Sequence, residues 1–140
     1  MIRLIIWCKS FAKYFLAAWI ITIIIVSSIP SIPTLKIHTE KSEIRLDYII
    51  HFFEYGVLAF MTFLSFASNE FKLNYRKFLL ITLCIITFAF LEEVHQKIIP
   101  GRTFNHKDIL SNISGILAAL IFCLFTFRII EKRIRDSTTN

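Results

Sequence analysis

Four apolar runs, at residues 14–29, 46–67, 78–99 and 109–130, dictate the solvent in which this chain can fold. A helix needs about 20 residues to cross the roughly 30 Å hydrocarbon core of a bilayer, and each run approaches that length. Together they take up more than half of a 140-residue chain. A single soluble core of that size has no interior large enough to hide them. The expected fold is therefore an all-α integral membrane bundle of four transmembrane helices, a single domain over residues 1–140, with only the polar DSTTN tail at 136–140 disordered.

The first run follows Arg3, Lys9 and Lys13, as the core of a signal peptide would. It is too long for one, and the SSIPSIP after it lacks a small-x-small cleavage site, so it reads as a retained first helix. Cys8, Cys84 and Cys123 have neither paired nor zinc-type spacing and read as buried free thiols.

Charge orients the bundle. With four spans both termini share a side, and that side collects ten basic residues: Arg3, Lys9, Lys13, Lys72, Arg76, Lys77, Arg128, Lys132, Arg133 and Arg135. The opposite side has six, Lys36, Lys41, Arg45, Lys97, Arg102 and Lys107, against seven acids, Glu40, Glu43, Asp47, Glu54, Glu92, Glu93 and Asp108. Basic residues favour the cytoplasm, which predicts cytoplasmic termini. The net charge of +6 is then a topology signal plus attraction to anionic lipid, and no nucleic-acid partner is expected.

Lengths force carboxylates into the membrane. The uncharged part of the third run, residues 78–91, gives about 21 Å of helix, too short to span. The helix must take in Glu92, Glu93, His95 and Gln96 before Pro100-Gly101 stops it. The second run has the same shortfall and draws in Asp47, His51 and Glu54. Helical spacing aligns these groups: Asp47, His51 and Glu54 share a face beside Tyr55; Glu92 and Gln96 stand at i, i+4 with Glu93 flanking; Asp108 and Asn112 stand at i, i+4. Three helices thus offer polar stripes at one depth, and charge facing lipid costs several kcal/mol, so the stripes should face each other. Gly115 and Ala119 continue the fourth-helix stripe with the small-xxx-small spacing of close helix packing. Arg102, in the short outer loop, is expected to fold back over the carboxylates.

The ordered set D-x-x-x-H-x-x-x-Y (Asp47, His51, Tyr55), E-E-x-x-Q (Glu92, Glu93, Gln96), P-G-R-T (from Pro100 to Thr103) and D-x-x-x-N-x-x-G (Asp108, Asn112, Gly115) resembles the VanZ-like membrane proteins. The motifs lie within about residues 46–120, and the family often has a second glycine where this chain has Ala119. The resemblance implies a multi-pass protein of the bacterial cell membrane. It also implies a place among envelope proteins associated with lowered glycopeptide (teicoplanin) susceptibility.

Several readings of the cluster stand side by side. In the first, it binds or modifies a membrane lipid headgroup or cell-wall precursor at the outer leaflet. There His51, Glu92 and Glu93 handle protons and Asp47, Tyr55, Gln96, Arg102, Asp108 and Asn112 hold the ligand. In the second, His51 and the carboxylates hold a divalent metal, although no short ligand motif accompanies them and no other cofactor is expected. A third, ion or proton movement, needs polar residues deeper in the bundle, where the chain offers mainly Thr62, Ser65, Thr82 and Thr126. The plain alternative is a non-catalytic interaction protein whose cluster is a structural hydrogen-bond network. Trp7, Tyr14 and Trp19 read as interfacial or lipid-facing aromatics, His38 and His106 as solvated loop residues, and RIIEKRIRD at 128–136 as a basic helix end on the cytoplasmic leaflet.

Overall fold

The computed structural model describes residues 2–30, 36–39 and 42–139. Glu40 and Lys41, and the side chains of Arg3, Cys8, Lys36, His38, Glu43 and Arg45, lie outside the described residues. In chain order the elements are α1 (Ile2–Ser27), β1 (Lys36–Thr39), β2 (Ser42–Arg45), α2 (Leu46–Phe66), α3 (Tyr75–Gln96) and α4 (His106–Thr139). All four helices are long and apolar enough to cross a membrane, as the four runs predict. The two strands pair antiparallel, Lys36 opposite Arg45 and Thr39 opposite Ser42, as a short hairpin leading directly into α2.

Two helices outrun their apolar segments. α1 starts at Ile2, well before residue 14, and α4 continues through Asp136 to Thr139, where the composition predicts a disordered tail. Extending a helix that already exists fixes one residue per added hydrogen bond, so an anchored transmembrane helix propagates readily into polar sequence. At 34 residues α4 is about 51 Å long and carries its basic end beyond the hydrocarbon.

The central seam is α2 against α4, with α1 packed on α2 and α3 mainly on α4. The two seam helices run parallel: Phe52 meets Gly115 and Phe60 meets Phe122, numbers rising together. Backbones touch at two glycines. A Cβ on Gly115 would lie 2.0 Å from the carbonyl oxygen of Phe52, and one on Gly56 would lie 3.5 Å from that of Gly115. This close approach is what the small-residue stripe predicts, and it puts the polar stripe of α4 against protein.

At the end of the bundle that holds the α2–α3 loop, Phe63 stacks on Phe78 at 5.0 Å, and Phe127 packs edge-on against both Phe78 and Phe71. Phe71, in the α2–α3 loop, has φ 54°, a region that L-residues seldom occupy. Its fully buried ring offsets that strain. Asn74 caps α3, its Oδ1 accepting the Lys77 amide at 3.0 Å. At the opposite end Gly101, with φ 80°, makes the turn out of α3. Of the described thiols, both unpaired, Cys123 is buried as expected but Cys84 is exposed on α3.

Candidate functional site

The start of α2, the end of α3 and the start of α4 bury Tyr55, Glu92, Glu93, Gln96, Asp108 and Asn112, with His51 and Glu54 partly covered. Glu93 and Asn112 are wholly inaccessible. The helical spacing read from the sequence therefore does turn three polar stripes onto one another.

The cluster has a closed part and an open part. In the closed part, Glu92 uses both oxygens: Gln96 Nε2, one turn on, donates to Oε1, and the Tyr55 hydroxyl donates to Oε2 at 3.4 Å. Glu93 Oε1 accepts the backbone N–H of Asn105 at 2.8 Å. Asn105 in turn caps α4, its Oδ1 accepting the Lys107 amide at 3.1 Å while its Nδ2 donates to Asp108 Oδ1 at 3.0 Å. A carboxylate is thereby held against the positive end of a long helix, where the aligned peptide dipoles favour it.

The open part is a histidine between acids. His51 Nδ1 lies 3.7 Å from Glu54 Oε2, and Nε2 lies 3.8 Å from Asp108 Oδ2. Both are ion-pair distances, longer than hydrogen bonds. Among the described residues, the buried side-chain nitrogen and oxygen atoms that lack a hydrogen-bond partner are Ser27 Oγ, His51 Nδ1, Glu93 Oε2, Arg102 Nε and both amide atoms of Asn112. All six belong to this end of the bundle. More than nine-tenths of buried polar groups in proteins are paired, and each orphan costs about 1–3 kcal/mol. Such a concentration in one place does not serve stability.

Arg102 is a correction. Its guanidinium turns to the end of α1, Nη2 donating to the carbonyls of Val26 at 3.1 Å and Ser27 at 3.5 Å, where a cation suits the negative helix terminus. Its charge still acts on Glu54 and Glu93 from there. Asp47, half-buried in the first turn of α2, stands one turn above His51. His95 is exposed, and His106 is exposed with its ring edge-on to Phe104 at 4.9 Å. Trp19 is a second correction: it is not simply lipid-facing, because its Nε1 donates to the Glu54 carbonyl at 3.0 Å and ties α1 to the site.

Sequence reasoning missed Asn105 and Trp19. Asn105 had a signal, an Asn three residues before an Asp at a helix start, which is a capping-box spacing. Trp19 had none, since its partner is a backbone carbonyl on another helix. Among the described residues no three His, Cys, Asp or Glu side chains are arranged to hold a metal ion.

Four membrane-length helices around a half-satisfied polar cluster define a multi-pass membrane protein with a buried polar site at one end. The chain belongs to the VanZ/LLP1 family, whose model matches residues 3–128. That span reaches beyond the motifs at 46–120 and takes in α1, in keeping with the contacts of Ser27, Val26 and Trp19 around the site. No curated protein and no solved structure matched the chain.

Proposed function

We propose that this VanZ-like protein sits in the bacterial cell membrane with both termini in the cytoplasm. Its polar cluster then faces the outer leaflet, where it binds or modifies the headgroup of a lipid or lipid-linked cell-wall component and lowers glycopeptide susceptibility. The observation that carries this reading is the gathering of unpartnered buried atoms, Glu93 Oε2, His51 Nδ1 and the Asn112 amide, at one end of the bundle. Supporting it are the family membership and the crowding of basic residues at the opposite end.

The donor and acceptor balance narrows the chemistry. Carboxylates outnumber cations in the cluster, and Arg102 is already engaged with α1. A headgroup rich in hydrogen-bond donors, amines or hydroxyls, suits Glu93 Oε2 and Asn112 Oδ1 better than a phosphate does. In this reading His51 takes and returns a proton, with Glu54 and Asp108 as the acids on either side of its ring. Glu92, with both oxygens engaged, positions Tyr55 and Gln96. The closed network of Tyr55, Glu92 and Gln96 favours a second reading for that part alone, a structural tie inside an interaction protein.

The test is glycopeptide susceptibility of a strain expressing His51→Ala, Glu93→Gln or Glu92→Gln, normalised to membrane abundance, with molecules co-purifying with each protein identified by mass spectrometry. Glu93→Gln keeps the acceptor for the Asn105 amide. His51→Ala and Glu93→Gln should therefore reach normal abundance and lose both protection and the bound species. Full protection by all three variants at normal abundance would make the whole cluster structural.

A further inference from the structure

A cleft of about 590 Å³ opens between α1, α2 and α3, away from the polar cluster. It exists because α3 packs mainly on α4 and leaves its opposite face standing clear of α1 and α2. Its walls are apolar, with Leu16, Ile20, Leu58, Ile81, Ile85 and Phe88 among them. Its volume is in the range of small-molecule pockets. In a bilayer such a slot holds hydrocarbon, and its ends decide which hydrocarbon.

One end is basic. Lys77 lines the cleft there, its Nζ donating to the Phe66 carbonyl at 2.6 Å and lying 5.8 Å from the Phe66 ring centre. Lys9 reaches the same level from α1, donating to Asn69 Oδ1 at 2.7 Å, and Lys13 stands exposed one turn further along the same face of α1. Three like charges are thus drawn together, and among the described residues none of them pairs with a carboxylate. An ammonium has three donors, and Lys9 and Lys77 each use one on a neutral oxygen, so donors remain at the mouth. Toward the other end the wall includes Phe88, whose ring packs on Tyr55 at 6.3 Å. A chain entering from the lysine end therefore runs toward the polar cluster.

We propose that this cleft is a binding site for an anionic phospholipid, with an acyl chain along the slot and the phosphate held by Lys77, Lys9 and Lys13. The second cleft supplies an internal comparison: about 330 Å³ between α2 and α4, it is lined by Phe52, Phe53, Phe60 and Phe122 among others and has no charged residue in its wall. The two slots share an oily lining and differ in charge, so they should differ in lipid preference.

The experiment uses tryptophan as the probe, in full-length protein with Trp7 and Trp19 replaced by Phe, reconstituted in phosphatidylcholine vesicles. A single Trp at Leu80→Trp reports on the first cleft and one at Phe122→Trp on the second, with helical content checked for each. Phosphatidylglycerol or phosphatidylcholine carrying brominated acyl chains is then titrated in as quencher. The expected result is half-quenching at Leu80→Trp by several-fold less phosphatidylglycerol than phosphatidylcholine, no preference at Phe122→Trp, and loss of the preference with Lys9, Lys13 and Lys77 changed to Gln. Equal quenching by both lipids at Leu80→Trp, or a preference that survives removal of the lysines, overturns the proposal. So does weak quenching by either lipid together with energy transfer between labelled copies, which would seat a second copy of the chain in the cleft.

Discussion

Gly115 of α4 lies so close to Phe52 of α2 that the Cβ it lacks would sit 2.0 Å from the Phe52 carbonyl oxygen. The polar site depends on this contact, because Gly115 continues the stripe of Asp108 and Asn112 and brings it against His51, Tyr55 and Gly56. Gly115→Ala should cost about 1–3 kcal/mol or more through overpacking against backbone, which cannot yield as a side-chain end can. Gly56→Ala meets only ordinary contact at 3.5 Å and gains about 1 kcal/mol of helix propensity, so it should be neutral or slightly stabilising. Thermal unfolding of the two purified variants separates these outcomes; equal melting temperatures would mean that the seam is not closed there.

Orientation is read from the charge distribution and is directly measurable. In a background without Cys8, Cys84 and Cys123, Thr103→Cys in the exposed α3–α4 loop should react with an impermeant thiol reagent applied to intact cells. Asp136→Cys, near the end of α4, should react only after the membrane is opened. The reverse pattern would place the polar site on the cytoplasmic face.

Asn105 joins two jobs, capping α4 and meeting Glu93. Asn105→Ala removes the cap but keeps the backbone N–H that Glu93 accepts. It should cost about 1 kcal/mol, as loss of a helix cap usually does, while Asn105→Asp should retain most of the stability. Denaturation of the two variants side by side checks this, and an unchanged Asn105→Ala would show that α4 starts without help from the side chain.

The sequence made the bundle legible through run length and the site through the shortfall of uncharged residues before Glu92 and after Glu54. Those signals are one-dimensional: a helix of fixed rise has to cross a slab of fixed thickness, and charges at its end go where the rise puts them. The Asp108, Asn112 and Gly115 stripe was legible for the same reason, since helical period fixes a face. Arg102 was not, because a long side chain in a loop can reach either the carboxylates or the end of α1, and the choice depends on where α1 ends. Trp19 and Gly56 were hidden likewise: each matters only through the backbone of a neighbouring helix. The β1–β2 hairpin has strands of only four residues, too short for alternation to announce them.

The claim that the open half of the cluster receives a ligand rests most directly on Asn112, inaccessible to solvent and without a partner for either amide atom. Asn112→Leu keeps the branched shape and removes both orphans. Relieving unpaired buried groups is nearly neutral or stabilising, whereas removing one half of a satisfied network destabilises. The decisive measurement is the melting temperature of detergent-purified Asn112→Leu beside glycopeptide susceptibility of the strain that expresses it. An unchanged or higher melting temperature with lost protection is the predicted result. A clearly lower melting temperature, with protection falling only as far as the amount of folded protein, would contradict it and make Asn112 part of the glue.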